Sequence, residues 1–340
     1  MDEERFASSS PDNKSSEVSL RPRHFSAFVG QKRVVRNLKV YIEAARKRNT
    51  SLDHILLSGP PGLGKTTLAA VISNELGVQL RTTACPVVEK PADLAGLLTN
   101  LKRGDVLFID EIHRLPTAVE EYLYSAMEDF SIDIMIDTGP AARSVTIEVP
   151  PFTLIGATTR EGLLTAPFRA RFGVHERLNY YSIDELHEII TRAARLMKIS
   201  VEEDGSQEIA RRSRGTPRIA TRYLRRIRDV AEVLGNSAID LETASRGLEM
   251  MGIDAKGLDP LDRHILETLY KQDGGPVGLK TISVVVGEQP ETIENVYEPY
   301  LIQLGFVTKT SRGRKLTADG YEHLGKEPAG ESASDVSELF

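Results

Sequence analysis

The sequence lacks the features of a secreted, disulfide-linked or membrane-spanning protein. Its 340 residues include one cysteine, Cys85, which excludes an internal disulfide and which we interpret as a small core residue. No apolar run approaches the roughly 18–20 residues that span a bilayer. The N-terminus lacks the basic start and apolar core of a signal peptide. These absences predict a cytoplasmic location.

Neither a metal-ligand cluster of histidines and cysteines nor a repeat of fixed period is visible, and we interpret His113 as structural. The net charge of −6 argues against a protein that is basic throughout. The charge is uneven, however, because residues 211–228 contain eight arginines and residues 309–315 contain four basic residues. Local patches of this kind, rather than net charge, decide whether a protein contacts nucleic acid.

Residues 59–67, GPPGLGKTT, match the phosphate-loop pattern of Gly, four residues, then Gly-Lys-Thr. An apolar run at 54–57 predicts a strand before the loop, and residues 68–72 predict a helix after it. Glycines such as Gly62 let backbone N–H groups surround phosphate oxygens at the helix N-terminus. Lys65 would reach the β- and γ-phosphates, the Thr66 hydroxyl would ligate Mg²⁺, and Thr67 would help to bind the nucleotide. The alternative is a glycine-rich turn with a chance lysine, which the flanking strand and helix disfavour.

A second apolar run, 106–109, ends in the carboxylates of Asp110 and Glu111. A buried parallel strand has this composition, and ligands bind at the carboxyl ends of such strands. Asp110 would hold Mg²⁺ directly or through water, and Glu111 would polarise the water that attacks the γ-phosphorus. An Asp-Glu pair that merely starts a surface turn is the alternative. The phosphate loop at Lys65 favours catalysis.

Strand and helix patterns alternate from residue 20 to 180, which predicts an α/β domain with a parallel sheet and helices on both faces. The candidate strands are 55–57, 78–82, 106–109, 152–157 and 175–178. Helical periodicity without strands continues to about 254, followed by a linker at 252–257. We predict a disordered tail at 1–19, the α/β domain at 20–180, a helical lid domain at 181–254, a winged-helix domain at 255–325 and a disordered acidic tail at 326–340.

The winged-helix prediction rests on three helical stretches followed by two short strands. The helical stretches are 262–270, 279–286 and 291–303, and the strands flank a turn at 310–312. A hairpin of this kind can lie along a DNA groove. Lys309, Arg312 and Arg314 are predicted to contact DNA phosphates from its tip. Small domains of this type also serve as protein-contact modules, which remains the alternative.

A third apolar strand ends in the hydroxyls of Thr158 and Thr159, and arginines follow in the segments 167–172 (PFRARF) and 215–218 (GTPR). Together with the phosphate loop and the Asp-Glu strand, this set resembles the AAA+ ATPase family over residues 20–230. Within that family the chain is most similar to the motors that drive branch migration of Holliday junctions. The similar stretches are 20–23, 28–31, 59–67, 110–115, 126–130, 139–143, 156–160, 298–302 and 312–314.

The resemblance implies a P-loop NTPase fold and a role for each matching residue. Thr159 takes the polar strand-end role called sensor 1, and Arg218 takes sensor 2 in the lid. Arg171 is the arginine finger that reaches the γ-phosphate bound by a neighbouring subunit, with Arg169 as its rival. The adenine side of the nucleotide would be contacted by Leu20, Arg21 and Tyr181, with Glu128, Asp129 and Phe130 nearby.

Residues 131–149 predict a β-hairpin whose apolar residues, among Ile134, Ile136, Val145 and Ile147, have no evident place in an ATPase core. A partner surface is one explanation, and the resemblance implies that the partner is the junction-binding protein RuvA. A hairpin packed on its own domain is the other.

The resemblance further implies a homohexameric ring with ATP and Mg²⁺ as cofactors that pulls duplex DNA through its centre during recombination and repair. RuvA and the resolvase RuvC would be its partners at four-way junctions. Another AAA+ machine, such as a clamp loader or a protein remodeller, is the alternative. The winged helix argues against a clamp loader, no aromatic-apolar pore loop is evident, and the intact catalytic motifs argue against a DNA-binding regulator without activity.

Overall fold

The structure is a computed structural model that describes residues 20–85, 88, 90–135 and 144–327, with backbone only at 134, 135 and 144. The tail predicted at 1–19 lies outside the described residues, as does the tail predicted at 326–340 except for Lys326 and Glu327. The turn of the hairpin at 136–143 also lies outside them.

The described residues form a parallel sheet of five strands in the order β2-β3-β6-β1-β7 and two antiparallel hairpins, β4-β5 and β8-β9. The parallel α/β fold predicted from the sequence is confirmed. The strands are β1 (Ile55–Ser58), β2 (Leu80–Ala84), β3 (Val106–Asp110), β4 (Ser131–Met135), β5 (Ser144–Glu148), β6 (Thr153–Thr158), β7 (Val174–Arg177), β8 (Val307–Thr310) and β9 (Gly313–Leu316).

The α-helices connect these strands and make up most of the C-terminal half. They are α1 (Lys32–Arg48), α2 (Lys65–Leu76), α3 (Pro91–Thr99), α4 (Thr117–Glu128), α5 (Ala166–Ala170), α6 (Ile183–Met197), α7 (Glu203–Arg211), α8 (Pro217–Leu234), α9 (Leu241–Met250), α10 (Pro260–Tyr270), α11 (Leu279–Val286), α12 (Pro290–Thr292 continuing through a π-helical turn, Ile293–Tyr297, into Glu298–Gln303) and α13 (Ala318–His323). None of the helices in the described ranges is long and apolar enough to cross a bilayer.

The central strands β1 and β6 are buried along their whole length. Side chains on both faces of such strands are mostly apolar because helices cover both faces. The strand predicted at 78–82 instead begins at Leu80, and its mostly exposed residues fit its place at the sheet edge. After β1 the chain turns at Gly59, where a Cβ would lie 2.5 Å from the Leu178 carbonyl oxygen, so only glycine fits.

The chain divides into two compact units. The first comprises the described residues up to Tyr181 together with Thr191–Ile199, and the second comprises Ser182–Ile190 and the described residues from Ser200 onward. In the second unit, helices α7–α9 precede a winged-helix core built from α10, α11, α12 and the β8-β9 hairpin. Helix α13, which the sequence analysis did not identify, follows that hairpin. The division into three domains stays a prediction.

Candidate nucleotide-binding and catalytic site

The phosphate loop lies at the carboxyl edge of the sheet, between the strands that carry the other predicted groups. Strand β6 pairs with both β1 and β3, so the loops that follow all three strands lie side by side. Lys65 begins α2 and is 6% exposed, and its Nζ donates to the carbonyl oxygens of Gly59 (2.7 Å) and Pro60 (2.9 Å). The loop therefore encloses its lysine, and Thr66 and Thr67 follow on the first turn of α2, whose N-terminus favours anions.

Glu111 and Thr159 are brought together because they follow the neighbouring strands β3 and β6. The Thr159 hydroxyl donates to Glu111 Oε2 at 3.1 Å, and the same oxygen lies 3.3 Å from Nδ1 of His113. His113 in turn lies 2.9 Å from the Thr158 hydroxyl. Glu111 has a φ of 49°, an uncommon value for a non-glycine residue that marks functional sites more often than chance. The site thus holds one carboxylate in a defined position.

Asp110 and Thr66 are suited to Mg²⁺, which prefers oxygen ligands and keeps several of its waters. Asp110 ends β3, and its Oδ1 accepts from the Glu111 amide at 3.0 Å. Thr66 supplies a hydroxyl from the first turn of α2. One carboxylate and one hydroxyl, completed by phosphate oxygens and water, form a donor set that fits this ion.

Cys85 lies behind this pair of acidic residues as a buried side chain, as predicted. Its thiol donates to the carbonyl oxygens of Asp110 (3.4 Å) and Glu111 (3.1 Å). Burial raises the pKa of Cys85 to about 11. A thiol with that pKa is neutral near pH 7, so Cys85 supports the backbone of the site and is no nucleophile.

Tyr181, for which the sequence predicts a contact with the base, lies beside the phosphate loop. The Tyr181 hydroxyl donates to the Leu63 carbonyl at 3.1 Å, and it and the Phe28 ring are the nearest side chains to Gly64. Leu20 is fixed through its carbonyl oxygen, to which Arg192 donates at 2.5 Å. Arg21 is exposed.

Arg192 is a residue that the sequence analysis missed. It also donates to the Ala27 carbonyl at 3.0 Å, so one side chain holds both ends of the segment before α1. Burial lowers the pKa of Arg192, and the two carbonyl acceptors compensate for its desolvation. An arginine within an amphipathic helix has no local signature that distinguishes it from a solvated one. Phe28, by contrast, lies in a stretch that the family resemblance already includes.

Arg171 lies at the opposite, amino edge of the sheet. It precedes β7, whose first residue, Val174, pairs with the first residue of β1. Its guanidinium contacts Glu128 Oε2 at 3.2 Å, donates to the Pro167 carbonyl at 2.9 Å and lies over the Tyr124 ring, 4.4 Å from its centre. The full length of β1 separates Arg171 from the phosphate loop of its own chain.

Glu128, Asp129 and Phe130 lie at that same amino edge. Met127, next to Glu128, accepts from the His54 ring at 3.1 Å immediately before β1, and Phe130 packs on Phe152 immediately before β6. The expectation that residues 128–130 lie near the nucleotide is therefore wrong for the nucleotide of the same chain. They accompany Arg171 instead.

Arg218 lies in the second unit, on the first turn of α8, and α8 begins after the turn at Thr216. Two of its arginine neighbours, Arg212 and Arg214, are buried. Those two side chains are therefore not solvated surface cations. Arg211 and Arg226, by contrast, make surface ion pairs on their own helices.

The predicted DNA contacts differ in accessibility. Arg312 is exposed in the turn between β8 and β9, and Lys309 is exposed but 3.0 Å from Glu294. Arg314 is 11% exposed and donates from Nε and Nη2 to the two oxygens of buried Glu298, at 2.8 and 2.9 Å. Its placement at an accessible tip is wrong, because the hairpin folds Arg314 back onto α12.

The β4-β5 hairpin has one apolar and one polar face. Ile132 pairs with Ile147, and Val145 lies two residues before Ile147 on the same strand, so these three side chains belong to one face. Ile132 is buried in the domain core, Ile147 packs partly against it, and Val145 is 44% exposed. The base of the hairpin thus packs on its own domain, while the apolar face is exposed to solvent at Val145. Ile136 lies outside the described residues.

Three family models match successive parts of the chain. They are the Holliday junction DNA helicase RuvB P-loop domain at residues 20–178, the RuvB AAA lid domain at 181–254 and the RuvB C-terminal winged helix domain at 255–325. The chain is 59% identical over 319 residues to the Holliday junction branch migration complex subunit RuvB of Myxococcus xanthus, covering 94% of this chain and 93% of that protein.

Solved structures give the same result. The Holliday junction branch migration motor RuvB of Thermotoga maritima matches with a TM-score of 0.83 and 48% identity over 91% of this chain and 99% of that one. A mutant of that protein matches with a TM-score of 0.84 and 49% identity over 90% and 99%. The parallel α/β sheet, the lid and the winged helix described above are therefore parts of a known architecture, and this chain belongs to the RuvB family of AAA+ ATPases.

Proposed function

We propose that this chain is an ATP-hydrolysing motor that drives branch migration of Holliday junctions as a homohexameric ring. The names of its relatives support the DNA substrate and the activity. The observation that carries the proposal is the division of the catalytic groups between two edges of one sheet. Lys65, Glu111 and Thr159 meet at the carboxyl edge, whereas Arg171 lies at the amino edge.

This division supports catalysis between subunits. Strand β1 and its flanking residues separate the edges by roughly 15 Å, at about 3.3 Å per residue. Arg171 held beside Glu128 does not reach a phosphate bound at Lys65 of the same chain. In a ring, the amino edge of one subunit would face the carboxyl edge of the next, and Arg171 would complete that neighbour's site.

In the proposed reaction the chain positions water and phosphate. Lys65 leaves its loop carbonyls for the β- and γ-phosphate oxygens, and Glu111 orients the attacking water. Thr159, which now donates to Glu111, would turn toward the γ-phosphate. Mg²⁺, held by Thr66 and Asp110, would supply positive charge against the phosphate oxygens. Arg171 of the neighbouring subunit would stabilise charge in the transition state. Arg218 would sense the bound nucleotide from the lid.

The remaining contacts belong to the same proposal. Leu20, Arg21 and Tyr181 would bind the base side, and Glu128, Asp129 and Phe130 would act with Arg171 on the neighbouring subunit's nucleotide. RuvA would bind the apolar face of the β4-β5 hairpin, and RuvC would resolve the junction that the motor moves. A cytoplasmic location is part of the same proposal.

The decisive experiment supplies purified protein with a synthetic four-way junction, ATP and Mg²⁺, with and without RuvA. We expect ATP-dependent conversion of the junction into duplex products, accelerated by RuvA. A DNA-stimulated ATPase that never moves the junction would instead indicate another AAA+ machine, such as a clamp loader. Absence of ATP hydrolysis with either DNA or RuvA would contradict the enzymatic proposal altogether.

A further inference from the structure

The linker at 252–257, between the lid helices and the winged helix, makes hydrogen bonds to both, although its sequence is typical of a flexible connection. We call this region of contact the joint. Asp254 accepts from the amides of Lys256 (2.9 Å) and Leu258 (2.8 Å), and its other oxygen lies 3.1 Å from the ring of His323 on α13. Leu258 is fully buried in the winged-helix core. The segment is therefore folded onto the winged helix.

The same segment is in direct contact with the turn between α7 and α8. A Cβ at Gly257 would lie 2.5 Å from the Arg212 carbonyl oxygen, so the two backbones touch. Arg212 also donates to the Ile253 carbonyl at 3.3 Å, while Glu208 of α7 accepts from its Nε at 2.7 Å. The lid side of the joint is thus as well defined as the winged-helix side.

One side chain, Arg214, spans the joint. Its backbone has a φ of 53° and its side chain is 7% exposed. It donates from Nε to the Gly257 carbonyl at 2.7 Å and from Nη2 to Asp262 of α10 at 2.5 Å. The same Nη2 lies 3.2 Å from Asp259, which caps α10.

The third element that Arg214 contacts is α12. Its guanidinium lies over the Tyr300 ring, 5.2 Å from the centre, and the Tyr300 hydroxyl donates to the Lys256 carbonyl at 2.7 Å. A planar guanidinium bonded in several directions fixes orientation as well as distance. Arg214 therefore restrains the linker, α10 and α12 at once.

We propose that Arg214 is a positioning residue that joins the lid helices and the winged helix into one rigid body, so that lid movement reaches the DNA-binding hairpin without loss. This proposal rests on the proposed motor function. Arg218, the proposed lid sensor, follows Arg214 by four residues on the turn that opens α8. A change sensed at Arg218 would therefore displace Arg214 and everything bonded to it.

The direct test measures a distance within this unit. Spin labels are placed on cysteines substituted for the exposed Glu242 of α9 and Lys280 of α11, in a Cys85→Ala background. Measurements are made at pH 8, because burial raises the pKa of Asp262 to about 7 and its carboxylate must be ionised. We expect one narrow distance that is the same without nucleotide, with ADP and with a non-hydrolysable ATP analogue. A distance that shifts between these states would overturn the proposal.

The role of Arg214 itself is tested by Arg214→Met, with Arg211→Met as the matched control because Arg211 is exposed and its ion pair with Glu208 lies within its own helix. We expect Arg214→Met to broaden the label distance and to lower junction movement per ATP hydrolysed by about fivefold or more, with basal ATPase retained. The control should change none of these.

Unchanged movement per ATP in a folded Arg214→Met variant would also overturn the proposal. Should that variant not fold, Arg214→Lys, which keeps the charge and loses the fork of donors, is measured in its place with the same expected direction. Failure of the motor function itself is distinguishable, because wild-type protein would then move no junction at all while the label distance could still be read.

Discussion

The hydroxyl of Thr159 donates to the carboxylate of Glu111 at 3.1 Å, joining the ends of two neighbouring strands. The carboxylate proposed to orient water is thus held by the residue proposed to sense the γ-phosphate. Release of this bond when Thr159 turns to a phosphate would free Glu111 for catalysis. The two residues should therefore affect turnover together.

We first predict the effect of Thr159→Val, which keeps the shape and removes the hydroxyl. Nucleotide affinity should persist while the ATPase rate falls about 10–100-fold, because the variant cannot make the proposed hydrogen bond to the charged γ-phosphate and such a bond contributes about 1.5–3 kcal/mol. Thr159→Ser, which retains the hydroxyl, should stay close to wild type. Equal rates for the valine and serine variants would exclude a role for the hydroxyl.

A second prediction concerns Glu111→Gln. This variant keeps the size and loses the charge that polarises water, so ATP binding should remain while turnover falls about 10²–10⁴-fold. Equilibrium binding of a fluorescent ATP analogue and steady-state phosphate release separate the two effects. Combining this change with Thr159→Val should add little, since the two side chains belong to one hydrogen-bond network. Normal hydrolysis by Glu111→Gln would remove Glu111 from the mechanism.

The third prediction tests catalysis between subunits. Arg171→Ala should lower ATP hydrolysis by about 10³–10⁵-fold, the usual effect of an arginine finger, without weakening nucleotide binding. Mixed rings of Arg171→Ala and Lys65→Ala subunits should regain activity, since some interfaces then contain both residues. Arg169→Ala, mixed in the same way, identifies which of the two arginines acts. Proven co-assembly without recovered activity would contradict the shared site.

How much of the site could be predicted from the sequence depends on how far apart in the chain the interacting residues lie. The phosphate loop and the Asp110–Glu111 strand end were identified because their chemistry is contained in a few consecutive residues beside regular elements. The position of Glu128 beside Arg171 could not be predicted, because it depends on where the end of α4 packs. Arg314 looked accessible for the same reason, since nothing local indicates that Glu298, sixteen residues earlier, lies beneath the hairpin.

The fourth prediction concerns the β4-β5 hairpin. Val145→Asp places a charge on the exposed part of its apolar face and should weaken binding to RuvA by at least about tenfold, because a buried unpaired carboxylate is costly. ATPase activity without RuvA should be unchanged. Glu148→Ala, on the opposite polar face, is the control. Undiminished affinity for RuvA in Val145→Asp would leave packing on its own domain as the sole role of this face.

The last prediction separates the arginines at the two positions of the β8-β9 hairpin. Arg312 is exposed in the turn, where a cation can meet a phosphate but cannot easily read a base. Arg312→Ala should weaken duplex binding equally across sequences and reduce the salt slope by about one unit. Arg312→Lys should restore both.

Arg314→Ala should act differently, because it leaves Glu298 buried without its partner. Breaking a buried ion pair costs about 3–5 kcal/mol, so this variant should lower the melting temperature of the protein, whereas Arg312→Ala should leave it unchanged. Arg314→Ala should lose DNA binding only to the extent that its winged helix unfolds. If Arg312→Ala binds duplex as tightly as wild type with the same salt slope, the hairpin turn is not the DNA contact, and the winged helix is then better explained as a protein-contact module.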